Sequence, residues 1–198
     1  MEIDDELNSY MKNFTIYDSE FIYSLGEVST WKYTFGTTPF STFEKVVSAI
    51  KRPKRFIVLG SSIGFQCFYW NRLFPDIPAI GYEIHDIRYD FSVYLAEKYN
   101  LKNVELYNYD LINADIQDGD LIWQNNLCMD RDICDEFNLK ALKKEVTVVS
   151  YVPILWYYSI GLDIMVPGNF EPKIFSRKSL TLPTSWSKHQ SFFIYENK

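Results

Sequence analysis

The chain has 198 residues, 47% hydrophobic and 23% charged, with a formal net charge of -6 from 20 Lys and Arg against 26 Asp and Glu. That length suits one domain with a full core, and that composition excludes a disordered chain. The acidic balance disfavours a nucleic acid partner, and no apolar run reaches the roughly 18 residues that a membrane span requires.

The first complete local signal is a helix over residues 42–51. Ser41 and Glu44 have capping-box spacing, Phe43, Val46, Val47 and Ile50 recur at helical period, and Pro53 lies just beyond. The basic cluster Lys51, Arg52, Lys54 and Arg55 reads as a solvated face. Residues 55–59 form a short apolar run ending at Gly60, the pattern of a buried parallel strand. Helical spacing resumes after Gly64 with Phe65, Phe68, Tyr69 and Leu73. A second strand is expected over 77–83, then a helix capped by Asp86 with the apolar face Ile87, Phe91, Tyr94 and Leu95. Strands at 103–107 and 120–123 follow. Asp130 or Asp132 opens a helix carrying Ile133 and Phe137, with Lys143 and Lys144 near its C-terminus, where cations suit the dipole. A fifth strand covers 146–152. After Gly168 the helical period stops, and strands near 173–182 and 191–195 around Pro183 read as a hairpin.

Strands alternating with helices at this spacing predict a doubly wound α/β domain: a parallel sheet in the order 3-2-1-4-5, helices on both faces, and the hairpin added at one edge with its last strand antiparallel. In such a sheet the ligand lies outside the carboxyl ends of the strands, where the first strand-to-helix turn must admit it close to backbone. Gly60 and Gly64 permit that approach, and Glu83, ending the second strand, stands where an acid bonds a ribose hydroxyl. Cys67, Cys128 and Cys134 lack CxxC spacing and have only His85 and His189 as imidazole partners, so neither a metal site nor a disulfide framework is expected. With no signal-peptide pattern, the expected compartment is intracellular.

The segments FIVLGSSIGFQ and GYEI resemble the first two motifs of the seven-strand, Rossmann-like S-adenosylmethionine-dependent methyltransferases, and Tyr109-Asp110-Leu111 is similar to their third. The closer resemblance is to the disruptor-of-telomeric-silencing type of lysine methyltransferase. It is carried by Trp123-Gln124-Asn125-Asn126-Leu127, by Val148-Val149-Ser150-Tyr151-Val152-Pro153, by Leu182-Pro183-Thr184-Ser185-Trp186-Ser187 leading into FFIY, and by Thr34-Phe35-Gly36-Thr37-Thr38-Pro39. The resemblance implies a Rossmann-like methyltransferase domain over 40–198, preceded by a helical or loop segment, 1–39, that closes over the cofactor. It implies S-adenosylmethionine as cofactor and S-adenosylhomocysteine as product, held by Thr38, Gly60, Ser61, Ser62, Gly64, Glu83, Ile84, Asp110, Leu111 and Asn125.

Methyl transfer from a sulfonium is an in-line displacement, so the protein contributes positioning and desolvation. The resemblance points to a protein lysine as acceptor, with Asn125 orienting it and Tyr151 and Trp186 lining its channel. A small-molecule or nucleic acid acceptor on the same fold, and a catalytically impaired cofactor-binding or interaction module, stand as alternatives. Two departures motivate the last of these: Val58 stands where the family has an acid that braces the loop, and Ser62 where it has a middle glycine. Weaker cofactor binding is expected. Restoring the acid through Val58→Asp should tighten binding if the carboxylate reaches the ligand, and cost stability if it is buried unpaired.

Overall fold

The structure, a computed structural model, describes residues 3, 5, 38–127, 129–141, 143–153 and 174–197. Nearly all of the segment 1–39, with residues 34–37 of the expected closing loop, lies outside the described residues, as do Cys128 and Lys173.

Helix α1 (Phe40–Ser48) leads into β1 (Arg55–Leu59), α2 (Phe65–Leu73), β2 (Ala79–Tyr82), α3 (Asp86–Lys98) and β3 (Val104–Tyr107). A 3-10 turn (Leu111–Asn113) precedes β4 (Asp120–Gln124), α4 (Arg131–Ala141), β5 (Thr147–Ser150), β6 (Ile174–Leu182) and β7 (Gln190–Asn197). The seven strands form one sheet in the order β3-β2-β1-β4-β5-β7-β6. β1 to β5 are parallel, and β7 runs antiparallel to both β5 and β6, as expected. β1 is central, and its side chains alternate between two cores. Phe56 and Val58 join Phe43, Trp70, Leu95, Trp123 and Phe192 on the face covered by α1, α2 and α3, while Ile57 and Leu59 join Ile122, Phe137 and Val148 on the face covered by α4.

Several sequence expectations need correction. The capping box does not form: α1 begins at Phe40, one residue before Ser41, and no side chain caps it. The Pro39 carbonyl instead accepts from Thr42 N and Phe43 N, both at 2.9 Å, because proline already holds φ near −57°. The helix ends at Ser48, well before Pro53.

The buried face of α3 is Arg88, Ser92 and Leu95, whereas Ile87 and Tyr94 are 52% and 51% exposed. This is the expected stripe rotated by about one residue, since 3.6-residue periodicity fixes a stripe but not what the helix docks against. Leu95, common to both stripes, provides the docking. Ser92 is small, and its hydroxyl is satisfied by Tyr89 O at 2.7 Å. Asp86 is the first helical residue and His85 the cap. Lys143 and Lys144 fall beyond α4, whose last-turn cation is Lys140, bonded to the Ile112 and Ala114 carbonyls at 3.0 and 2.6 Å.

The basic cluster is not simply a solvated face. Arg55 makes a fork to Asp120 at 2.9 and 2.8 Å, tying β1 to β4, and that carboxylate holds the guanidinium pKa above its ordinary value. Arg52 pairs with Asp76.

Candidate functional site

A cavity of about 410 Å³ opens at the carboxyl ends of the parallel strands. The sheet order gives it two sides. Residues after β2 and β3, namely Glu83, Ile84, Tyr109, Asp110 and Leu111, form one wall; residues after β4 and β5 and in the β6–β7 turn, namely Asn125, Leu127, Tyr151 and Trp186, form the other. Gly60 and Ser62 lie between them, after the central strand.

The loop between β1 and α2 is shaped by contacts spread along the chain. Gly60 has φ 69°, a left-handed conformation that favours glycine, and a Cβ there would come within 2.6 Å of Met129 Cε, the flexible tip of a side chain that would have to move aside. Gly60 N and Ser61 N both donate to Tyr82 O at 2.9 Å, and Ser61 packs over Gly81, whose absent side chain leaves the room. Glu83 completes the loop: Oε2 accepts from Ser62 N at 2.7 Å and Oε1 from His85 N at 2.9 Å, and the residue is 7% exposed. Asn125 holds the opposite flank, donating from Nδ2 to Gly60 O at 2.7 Å. Its Oδ1 accepts from Trp123 Nε1 at 3.1 Å and Gln66 Nε2 at 3.2 Å. Asp110 caps the 3-10 turn through Oδ1, accepting from Ile112 N at 3.1 Å.

The structure therefore brings Gly60, Ser62, Glu83, Ile84, Asp110, Leu111, Asn125, Tyr151 and Trp186 to one cavity. Three expected residues are not on its wall. Thr38 is fully buried, and its hydroxyl bonds the Tyr151 hydroxyl at 2.7 Å. Ser61 is 1% exposed behind the loop, and Gly64 caps α2 with φ 91°. Tyr151 also accepts from Trp123 Nε1 at 3.2 Å and meets Trp186 edge-on at 5.4 Å. Burial pushes its pKa up to about 12, so the phenol keeps its proton at neutral pH and acts as a hydrogen-bonding group, not as a base. Trp186 is 40% exposed at the mouth, its Nε1 bonded to Gln190 Oε1 at 3.1 Å.

Sequence reasoning missed Gln66 and Arg88, both 5% exposed and on the cavity wall. Each has a signal in hindsight. Gln66 is the polar member of the buried run Phe65 to Trp70, and Arg88 is a charged residue on the buried face of its helix.

Val58 is fully buried in the apolar core and does not line the cavity, so the condition under which an acid there could reach the ligand is not met. Ser62, by contrast, is on the wall with φ 52°, a left-handed conformation that favours glycine, and its buried Oγ has no hydrogen-bond partner among the described residues. Ser62→Gly is expected to raise the unfolding free energy by about 1 kcal/mol, the cost of a left-handed non-glycine residue less the added flexibility of glycine. A melting temperature at or below the wild-type value would mean that the loop carries no such strain.

Among the described residues no group of three or more His, Cys, Asp or Glu could hold a metal ion, and no helix is long and apolar enough to cross a membrane. No family model matches the sequence, and no curated protein matches it. Solved structures do match in fold. TrmN from Thermus thermophilus superposes with a TM-score of 0.60 at 13% identity, over 80% of this chain and 48% of that one. An RNA methyltransferase from Salinibacter ruber, in complex with S-adenosyl-L-homocysteine, gives 0.56 at 14% identity over 81% and 92%. An rRNA methylase from Streptococcus thermophilus gives 0.54 at 10% identity over 79% and 94%. The fold of this chain is that of the Rossmann-like, seven-strand methyltransferases.

Proposed function

We propose that this chain binds S-adenosylmethionine and transfers its methyl group to a protein lysine, leaving S-adenosylhomocysteine. The observation that carries this reading is the two-sided cavity at the carboxyl ends of the strands, with Glu83 and Asp110 on one wall and aromatic groups on the other. The residues fit the cofactor. A volume of about 410 Å³ is in the usual range for a small-molecule site. The wall carries Glu83, Asp110 and Asp130 against Arg88, a balance that suits a cationic ligand. Ser62 Oγ is a buried hydroxyl awaiting a partner, and the Gly60 turn brings backbone to the wall.

In this reading Glu83 holds the ribose hydroxyls and Asp110 the adenine amino group, through the lone pairs that the loop bonds leave open. The sulfonium supplies an electrophilic methyl and a neutral leaving group. The chain's own task is to align the acceptor and exclude water. Leu127, Tyr151 and Trp186 offer an apolar lining for the aliphatic arm of a lysine, whose ammonium, with an unperturbed pKa of about 10.4, loses its proton more readily in such surroundings. The net charge of -6 and the presence of Arg88 as the sole basic residue on the described wall favour a protein over a phosphate backbone.

One observation favours a nucleobase acceptor instead: Trp186 at the mouth offers a stacking face, and the structural neighbours named above include RNA methyltransferases. The test has two parts. Calorimetric titration with S-adenosylhomocysteine is expected to show saturable 1:1 binding, and tritiated methyl from S-adenosylmethionine should enter the protein fraction of a lysate. Label in RNA alone would shift the acceptor to nucleic acid. No binding at millimolar ligand would leave the fold as an interaction module without the enzyme activity.

A further inference from the structure

The turn between β6 and β7 carries Trp186 to the cavity mouth, and contacts at three points hold that turn. Pro183 O accepts from Thr42 Oγ1 on α1 at 2.7 Å. Thr184 and Ser187 close the turn on itself, through Thr184 N to Ser187 O at 2.7 Å and Ser187 N to Thr184 Oγ1 at 3.2 Å. The third point is Gln190, the first residue of β7. Its Nε2 donates to Tyr151 O at 3.3 Å and to Ser191 O at 2.8 Å, and its Oε1 accepts from Trp186 Nε1 at 3.1 Å. An indole can only donate and a backbone carbonyl can only accept, so the three partners together leave the Gln190 amide one orientation.

Trp186 is on the cavity wall and Gln190 is not. The single polar atom of the indole is thus bonded to a residue off the wall, and the ring offers the cavity hydrocarbon and π surface. Its neighbour has the same character. Tyr151 meets Trp186 at 88° with centroids 5.4 Å apart, and the Tyr151 hydroxyl is engaged by Thr38, Trp123 and Gln66. Gln190 therefore bonds both members of this aromatic pair, the tyrosine at its backbone carbonyl and the tryptophan at its ring nitrogen. Trp186 is 40% exposed, so rotamers that swing the ring into solvent are within reach, and the bond to Gln190 opposes them.

We propose that Gln190 is a positioning residue for the methyl acceptor, acting through Trp186: it holds the indole perpendicular to Tyr151 as a fixed apolar wall at the mouth. The inference rests on the lysine methyltransferase reading above and deepens it by naming what sets the shape of the acceptor's entrance. Such a wall attracts an ammonium on approach and packs against the methylene arm once the nitrogen is inside. Gln190 itself touches neither substrate nor cofactor.

The test is a double-mutant cycle on the full chain. Its readout is tritiated methyl transferred from S-adenosylmethionine into lysate protein, at a series of lysate concentrations and corrected for label incorporated without the chain. Gln190→Leu is expected to raise the half-saturating lysate concentration about 3- to 5-fold, the worth of one exposed cation–aromatic contact, and to leave the dissociation constant of S-adenosylhomocysteine within about 2-fold of wild type. Trp186→Phe, whose ring has no N–H for Gln190 to hold, should show a rise of at least that size, and adding Gln190→Leu to it should change nothing further. Gln190→Met, of nearly the same length as glutamine, replaces the leucine variant if that one fails to fold. Labelling with 5-fluorotryptophan reads the ring without any acceptor. The Trp186 fluorine signal, assigned by its loss in Trp186→Phe, should move toward that of free tryptophan in Gln190→Leu. An unchanged half-saturating concentration in Gln190→Leu, a rise repeated in full in the Trp186→Phe background, or an unmoved fluorine signal would overturn the proposal while the methyltransferase reading survives. A wild-type chain that transfers no label to protein would overturn the lysine reading and the acceptor role of Gln190 with it.

Discussion

Val58→Asp is expected to destabilise the fold by at least about 3 kcal/mol and to leave cofactor affinity no better than before. Val58 is the fourth residue of the central strand, paired between Gly81 on β2 and Trp123 on β4, and its side chain is fully buried in the larger apolar core. A carboxylate there exchanges hydration for hydrocarbon. It either stays charged without a partner or takes up a proton, and both options cost stability at neutral pH. The second option sets the pH dependence. Burial raises the folded-state pKa of the new carboxyl above its unfolded value of about 3.9, so the unfolded state is favoured as pH rises above that value. The deficit relative to wild type should therefore shrink as pH is lowered toward about 4. Melting temperatures at several pH values, with S-adenosylhomocysteine titrations on the same samples, check both parts. A variant with wild-type stability and tighter binding would mean that position 58 reaches the ligand after all.

The second large effect is expected at Glu83. Glu83→Ala removes the acceptor of Ser62 N at 2.7 Å and of His85 N at 2.9 Å, and in the proposed reading it also removes the ribose partner. Hydrogen bonds to a charged group contribute about 1.5–3 kcal/mol each, so a loss on the order of 100-fold in affinity for S-adenosylhomocysteine is expected. A fall in melting temperature should accompany it, because two backbone donors lose their partner. Glu83→Gln is the informative companion. It offers one carbonyl oxygen in place of two carboxylate oxygens, so it can satisfy one of the two N–H groups and should fall between alanine and wild type. An unchanged dissociation constant in Glu83→Ala would reduce Glu83 to a support for the loop.

The loop also accounts for a departure from the family resemblance. Where the family that the sequence resembles is expected to carry an acid on the strand, this chain has Val58, yet a carboxylate still reaches the loop backbone, supplied by Glu83 at the end of the neighbouring strand. The loop is held from the other flank by Asn125 Nδ2 on Gly60 O. Two polar groups from β2 and β4 thus fix a turn that its own strand leaves unbraced. The left-handed Ser62 stands between them, with its backbone N–H on Glu83.

What the sequence by itself determined is the order of elements and the positions of the strand ends. The span 55–59 was legible to the residue, because a strand buried on both faces is an apolar run and its limits are marked by Pro53 and Gly60. The alternation that follows, read with right-handed crossovers, is enough to predict the sheet order, and with it the side of the sheet on which Gly60, Glu83, Asp110 and Asn125 gather. Each of these signals is read within a few residues of chain, where periodicity and turn chemistry act.

Only the tertiary structure decided which of those residues are still available to a ligand. Asn125 and Gln66 are both polar residues near a loop, and nothing local to either separates them. The Asn125 amide oxygen accepts from Trp123 and from Gln66, the latter 59 positions away. Thr38, off the cavity wall itself, meets it only through Tyr151, 113 positions further on. The rotation of α3, which turns Arg88 inward and Ile87 outward, likewise depends on the surface the helix meets. Hydrogen-bond capacity is a property of pairs, and in a buried site the pairs are made between strands, so the chemistry left over for a substrate emerges only when every partner is in place.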